Sequence, residues 1–411
     1  MIQQRTSFST IAFLGCLFLL SLTGIQCQTS PSEEKSDNKE QHIITGAERM
    51  DAYLPMLQGK KIAMVANQTS IIRTTIAPES EYIHLVDSLK SLQIQIDKVF
   101  APEHGFRGQK ADGEHIEDGK DPQTGIQIIS LYGENRKPKP VHLEGVDVVV
   151  YDIQDVGARF YTYTSTLHYV MEACAENDIP VILLDRPNPN GHYVDGPVRE
   201  PEFKSFVGMH PVPIVYGMTI GEYGQMINGE GWLAEGIKCD LSVVKLEHYD
   251  HQKKYSLPVR PSPNLPNDRA INLYPSLCLF EGTTVSCGRG TEMQFQIFAT
   301  PYLPEDNYEL QFTPQPNFGS NYPKHDGELC FGKDLRTGEF MTALDFSWLI
   351  DAYNKTSNKE TFFRESGFSR LAGTDKLQKQ IEQGMDFKSI RESWQDDLKK
   401  FKEIRSQYLL Y

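Results

Sequence analysis

Residues 101–108 read Ala-Pro-Glu-His-Gly-Phe-Arg-Gly and directly follow an apolar run through Ile96, Val99 and Phe100. This places Glu103, His104 and Arg107 where a buried strand opens into a glycine-punctuated loop, with Glu114 eleven residues beyond Glu103. Two carboxylates near one loop can have their proton affinities driven apart by burial and mutual repulsion, leaving one as an acid and the other ionised. Glycosidic bond cleavage requires such a pair. The competing reading is a loop of solvated charges, against which Pro102, Gly105 and Gly108 indicate a shaped turn.

Three further sets have the same character. Asp152 closes an apolar run and leads through Asp155, Arg159, Tyr161 and Tyr163, a block whose rings and hydroxyls suit a sugar. Asp155 and Arg159, four apart, also fit a plain ion pair at a helix start. Asp185 and Arg186 follow Val-Ile-Leu-Leu and precede Pro187, Asn188, Pro189 and Asn190, where the asparagines also suit turns. Glu281 and the Gly288-Arg289-Gly290 triplet form a comparable cluster, in which Arg289 offers a planar fork for a carboxylate. The reading as a surface turn stands beside it. A metal held by Glu103, His104, His115 and Asp152 matches no standard spacing, so no metal and no cofactor is assigned.

These residues need a scaffold that brings strand ends together. Lys61–Ala66, Ile96–Ala101, Ile126–Tyr132, Asp147–Asp152, Val181–Asp185 and Leu241–Leu246 are short apolar runs that predict strands. Between them, Tyr82, Leu85, Val86, Leu89 and Leu92, and later Tyr163, Leu167, Val170, Met171 and Cys174, recur at helical spacing. Thr219 and Glu222 have the spacing of a capping box. Alternating strands and helices imply an α/β fold with a parallel, doubly wound sheet whose carboxyl edge carries the ligand site. Pro258, Pro261, Pro263 and Pro266 read as an ordered linker. The expected organisation is a domain over 46–262 and a smaller α+β domain over 263–411, with helices predicted over Phe340–Asn354 and Ile390–Leu409.

A net charge of −14 over 411 residues repels phosphate backbones, so nucleic acid is not an expected partner. Ile11–Leu22 is too short to cross a bilayer but suits an export signal over residues 1–27, followed by a polar tether over 28–45. The expectation is an exported protein, periplasmic or an outer-membrane lipoprotein, touching membrane only through a lipid on Cys27. Cys174, Cys239, Cys278, Cys287 and Cys330 are odd in number and widely spread, which is no disulfide framework. The chain has no GxSxG elbow, no phosphate loop, no GxGxxG fingerprint and no HExxH pair.

Taken in order, Asn67-Gln-Thr, Pro102-Glu-His-Gly-Phe-Arg-Gly, the block Asp152–Tyr163, Asp185-Arg-Pro-Asn-Pro, Glu281-Gly-Thr and Gly288-Arg-Gly-Thr resemble the exo-acting β-N-acetylmuramidases of bacterial peptidoglycan recycling, glycoside hydrolase family 171. The resemblance runs from about residue 45 to the carboxyl end. It implies a Rossmann-like catalytic domain, a smaller auxiliary domain, and release of N-acetylmuramic acid from non-reducing ends of peptidoglycan fragments. It also implies Glu103 as the catalytic acid with Glu114 as partner. Asn67, His104, Arg107, Asp152, Asp155, Arg159, Tyr161, Asp185, Arg186, Asn188, Glu281 and Arg289 would bind substrate. Gln294 and Gln296 depart from the Pro and Glu expected in many relatives. A non-catalytic wall-binding protein and a metal-dependent deacetylase or esterase are the alternative functions.

Overall fold

The strand Lys61–Ala66 (β1) is buried along nearly its whole length because it sits in the middle of a sheet covered on both faces. In the computed structural model, which describes residues 42–74, 81–108, 118–364 and 366–411, the strands follow in chain order. They are Ile71–Arg73 (β2), Tyr82–His84 (β3), Gln95–Ala101 (β4), Gly119–Lys120 (β5), Gln127–Ser130 (β6), Val148–Asp152 (β7), Val181–Leu184 (β8), Leu241–Val244 (β9), Ile297–Thr300 (β10), Leu310–Phe312 (β11) and Cys330–Asp334 (β12). Seven form the central sheet in the order β5-β6-β4-β1-β7-β8-β9, parallel except for the edge strand β5. The leader, residues 28–41 of the expected tether, Glu114 and His115 lie outside the described residues, whereas the last residues assigned to the tether join the fold, Ile43 and Thr45 being buried and Ile44 bridging to Glu247.

Alternate residues of the inner strands enter two apolar layers, as a period of two requires. Ile62, Met64, Val148, Val150, Ile182 and Leu184 pack with Tyr53, Leu57, Leu85 and Leu89 on one face. Ala63, Val65, Val149, Tyr151, Val181 and Leu183 pack with Leu167, Val170, Met171 and Cys174 of the helix Tyr163–Glu176 on the other. This second layer continues into Phe280, Phe298, Phe346, Phe362 and Trp394, so residues on either side of the proline-rich segment share one apolar cluster. That segment is no exposed linker, because Pro261, Ser262, Pro263, Asn264 and Leu265 are buried. The Pro261 carbonyl accepts from the Tyr161 hydroxyl at 2.7 Å and from Gln68 Nε2 at 3.0 Å.

Three helical expectations need adjustment. Tyr82–His84 pairs with β2, and the helix begins only at Leu85 because the His84 ring caps it. Phe340–Phe346 is irregular ahead of the helix Ser347–Lys355, its amides being satisfied by side chains: Leu344 N donates to Asp195 and Asp345 N to Ser276. Ile390–Leu409 divides into helices Phe387–Glu392 and Gln395–Arg405, with buried Trp394 at the break donating its indole N–H to Asp195. The capping box at Thr219 and Glu222 is formed as expected.

His84 ties the cap to the sheet edge. Its Nδ1 accepts from Val86 N at 3.3 Å and its Nε2 meets the Asn67 carbonyl at 2.9 Å, an arrangement that uses the neutral ring. Burial is the main cause that pushes its pKa down to about 4, helped by Arg107 and opposed by the bond to Asn67. The unfolded imidazole takes its proton near pH 6.5, so the contribution to stability is complete above that pH and is lost as pH falls through about 4. Between pH 7 and 4.5 the parent protein is expected to lose about 2 kcal/mol more stability than the non-titrating variant His84→Asn. Urea melts at the two pH values measure this, and equal losses would show that the ring is not held neutral.

Candidate active site

The carboxyl ends of β1, β4, β7 and β8 lie side by side, with Ala66 paired to Asp152 and Ala101 to Ser130. Beyond this edge is a cavity of about 200 Å³. Its wall includes Glu103 and His104 after β4, Phe160, Tyr161, Thr162 and Tyr163 after β7, and Ser262, Asn264 and Leu265 of the proline-rich segment. Tyr274, Cys278, Glu281, Arg289 and Phe295 complete it from the carboxyl-terminal half, with Val207 and Leu371. Tyr161 stands edge-on to Tyr163 with centroids 4.8 Å apart, and Tyr274 is edge-on to both Phe160 and Phe295, at 5.2 and 4.9 Å. Such ring faces and edges give apolar patches of the kind that pack on a pyranose.

Glu103 is held from two sides. Thr162 donates its hydroxyl to Glu103 Oε2 at 3.1 Å, and the Tyr163 hydroxyl meets the Glu103 carbonyl at 3.4 Å. Asn67, at the end of β1, donates Nδ2 to the Tyr163 hydroxyl at 3.0 Å while its Oδ1 accepts from Thr69. Asn67 therefore stands behind the wall and positions Tyr163. His104 takes a left-handed backbone with φ of 70°, unusual for a residue with a side chain and found where surrounding structure overrides local preference. Arg107 bridges Asp87 and Asp121, with Nη1 to Asp87 Oδ2 at 3.0 Å and Nη2 to Asp121 Oδ2 at 2.9 Å. It fastens the loop to the helix Leu85–Ser91 and does not line the cavity.

Several residues expected to line the site serve the scaffold instead. Asp152 and Arg186 are buried and paired in bidentate fashion at 2.6 and 2.9 Å. Among the described residues no carboxylate pairs with Arg159. Its two terminal nitrogens donate to the carbonyls of Pro197, Val212, Leu371 and Ala372, and burial pushes its pKa down to about 9. Asp155 accepts from Gly157 N and the Tyr216 hydroxyl and is raised to about 6 by burial. Asp185 accepts from Gly221 N, Thr219 and the Tyr411 hydroxyl, anchoring the chain end, and burial with Glu222 nearby raises it to about 7. Asn188 makes a turn, accepting from Asn190 N and donating to the Met218 carbonyl. It fills the space over Gly157, where a Cβ would lie 2.3 Å from its Oδ1 and where φ is 77°.

The carboxyl-terminal half supplies a charged corner. Arg289 Nε lies 3.1 Å from Glu281 Oε2, with the guanidinium over the Phe295 ring at 5.3 Å. Lys324, absent from the sequence reading, donates its ammonium to the carbonyls of Phe280, Glu281, Thr283 and Val285 at 2.9 to 3.3 Å. Burial pushes the Glu281 carboxyl up, but Arg289, then Lys324 and Arg364, outweigh it and hold the group below the usual carboxylate range. Gln294 and Gln296 flank Phe295 without lining the cavity, and Gln296 accepts from Asn267, the cap of the helix Asp268–Leu277. Ser262, Asn264, Tyr274 and Phe295 were not anticipated at the site. The signal available for the first two was the Pro261-Ser-Pro-Asn264 pattern, which fixes backbone much as Asp185-Arg-Pro-Asn-Pro does.

Among the described residues, Glu103 and Glu281 are the carboxylates on the cavity wall. No three His, Cys, Asp or Glu side chains of those residues come together as a metal site, and Asp152 is taken by Arg186. The five body cysteines are unpaired and buried.

Comparison with known sequences decides the family. Residues 62–269 match the model described as exo-β-N-acetylmuramidase NamZ, N-terminal, and residues 272–411 match its C-terminal counterpart. The chain belongs to the NamZ family of exo-β-N-acetylmuramidases. Over 428 residues, covering all of both chains, it is 34% identical to the peptidoglycan β-N-acetylmuramidase NamZ of Bacillus subtilis. Two crystal structures of DUF1343 family proteins from Bacteroides fragilis resemble it, at 42% identity with a TM-score of 0.81 and at 28% identity with a TM-score of 0.75. Each alignment covers 90% of this chain and 99% of the other. The NamZ family models thus take in the sheet edge and the charged corner alike.

Proposed function

We propose that this NamZ-family chain is an exo-acting glycoside hydrolase that releases N-acetylmuramic acid from the non-reducing ends of peptidoglycan fragments, with Glu103 as general acid. The observation that carries the reading is a carboxyl group fixed by Thr162 on the wall of an aromatic-lined cavity of about 200 Å³. A space of that size suits a terminal sugar better than a run of polymer. Glu103 protonates the bridging oxygen, so that the alcohol departs neutral while positive charge builds at the anomeric carbon. Asp152, Asp155 and Asp185 are set aside as the group that supports that carbon, because each is buried in scaffold contacts away from the cavity. Glu114, the substrate acetamido group or the ionised Glu281 fills this role.

Export belongs to the same proposal, with residues 1–27 as leader and Cys27 as the site of any lipid. Among the described residues no helix is long and apolar enough to cross a membrane.

Incubation with a chromogenic N-acetylmuramic acid glycoside is expected to give colour, and with muramyl-terminated disaccharide to give free N-acetylmuramic acid. Chelator is expected to leave both rates unchanged. Binding without turnover would make the chain a wall-binding protein, and loss of activity with chelator would favour the metal-dependent alternative.

A further inference from the structure

A cavity of about 200 Å³ encloses little more than one sugar, so in an exo-acting enzyme the rest of the glycan must leave across its rim. One stretch of that rim is the loop over residues 313–324, between β11 and β12, which lies outside the cavity but is fastened to its wall. Asn317 and Ser320 close a turn in it by backbone bonds of 2.9 and 3.1 Å, and Asn317 Oδ1 accepts from Gly319 N and Ser320 N. The Gly319 carbonyl accepts from Nδ2 of the cavity-lining Asn264 at 2.7 Å. This approach is so close that a Cβ at position 319 would lie 2.6 Å from Asn264 Oδ1. Asn317 Nδ2 also donates to the Thr291 carbonyl at 3.0 Å, and Gln315 N to the Gly290 carbonyl at 3.0 Å. At its far end the loop is pinned by Lys324 and its four carbonyl partners.

The same loop carries the two most exposed large apolar side chains of the described residues, Phe318 at 61% and Tyr322 at 94%. Single exposed aliphatic residues such as Leu92 and Val141 are ordinary on a protein surface. Two aromatic rings four residues apart, on a loop tied to the wall of a sugar-sized cavity, are not. Folding leaves both rings in water at a cost that only a ligand would remove, and the C–H face of a pyranose is an apolar surface of matching size.

We infer that Phe318 and Tyr322 form a stacking platform for the departing part of the glycan, holding the sugars joined to the terminal N-acetylmuramic acid. The inference rests on the proposed glycosidase reading and names where the leaving end of its substrate binds. Because the loop is fastened at its turn and at Lys324 before substrate arrives, the rings are presented at little ordering cost. Far from the breaking bond, they hold ground state and transition state alike, so they lower KM and leave kcat unchanged.

Two measurements test this: steady-state kinetics on a tetrasaccharide that begins with N-acetylmuramic acid at its non-reducing end, and inhibition by free N-acetylmuramic acid, which fills the cavity alone. In the double variant Phe318→Ala with Tyr322→Ala, KM for the tetrasaccharide is expected to rise about thirtyfold while kcat stays within about threefold of the parent. The inhibition constant of the single sugar is expected to stay within about twofold, because the cavity itself is untouched. Phe318→Trp in place of the alanine, with Tyr322 kept, is expected to hold KM within about threefold of the parent, since it keeps a ring. Both side chains are exposed, so the variants should fold. An unchanged KM in the double variant would overturn the platform, and so would an equal rise in KM and in the inhibition constant, which marks a disturbed cavity. Failure of the parent to cleave the tetrasaccharide at all would instead count against the glycosidase reading itself.

Discussion

Glu103→Gln is expected to lower the release of N-acetylmuramic acid from a muramyl disaccharide by about a thousandfold, the scale of a positioned general acid. The change is close to isosteric, and Thr162 can donate to the amide oxygen as it does to Oε2, so the loop and the melting temperature should be kept. What disappears is the proton for the leaving oxygen. A sugar alcohol needs that proton far more than nitrophenolate does, so the loss should shrink by at least about tenfold on the nitrophenyl glycoside. Kinetics on the two substrates separate the roles. Wild-type turnover would remove Glu103 from the chemistry, and equal losses on both leaving groups would place it at the anomeric carbon instead.

The second large effect is on stability. Asp152→Ala should destabilise the protein by about 3–5 kcal/mol, because it leaves the Arg186 guanidinium buried without its counter-charge. The double variant Asp152→Leu with Arg186→Met removes both charges and should recover most of that loss, as apolar replacements of a buried pair commonly do. Because neither side chain lines the cavity, the KM of the folded fraction should stay within about threefold of the parent value. Urea melts and steady-state kinetics test both halves. Normal stability with a much higher KM would return Asp152 and Arg186 to the binding site.

Glu103, Asp152 and Asp185 could each be placed at the carboxyl edge of the sheet from the sequence, because an apolar run that ends in a charge marks where a buried strand leaves its covered layer. The same logic located β1, β7 and β8, whose side chains are buried on both faces, and β4 and β9, which become buried toward their carboxyl ends. It said less about β10, β11 and β12, runs of three to five residues in a local antiparallel sheet, too short for their pattern to be told from loop. The helical period over Tyr82–Leu92 was also incomplete, since pairing of Tyr82–His84 with β2 overrode it.

Which charges face the cavity depends on partners far apart in the chain. Asp152 meets Arg186, Asp185 meets Tyr411, and Arg159 meets the carbonyls of Leu371 and Ala372, separations of 34, 226 and up to 213 residues. A charged residue at a strand end is equally compatible with solvent, substrate or a buried partner, and burial without a partner is costly enough that packing settles the choice. The local pattern therefore determined the strands and the edge at which chemistry is placed. Tertiary packing alone decided that the four charges Asp152, Asp155, Asp185 and Arg186 became scaffold, and brought Asn264, Glu281 and Arg289 to the cavity beside Glu103, because contacts between distant segments leave no periodic trace in the chain.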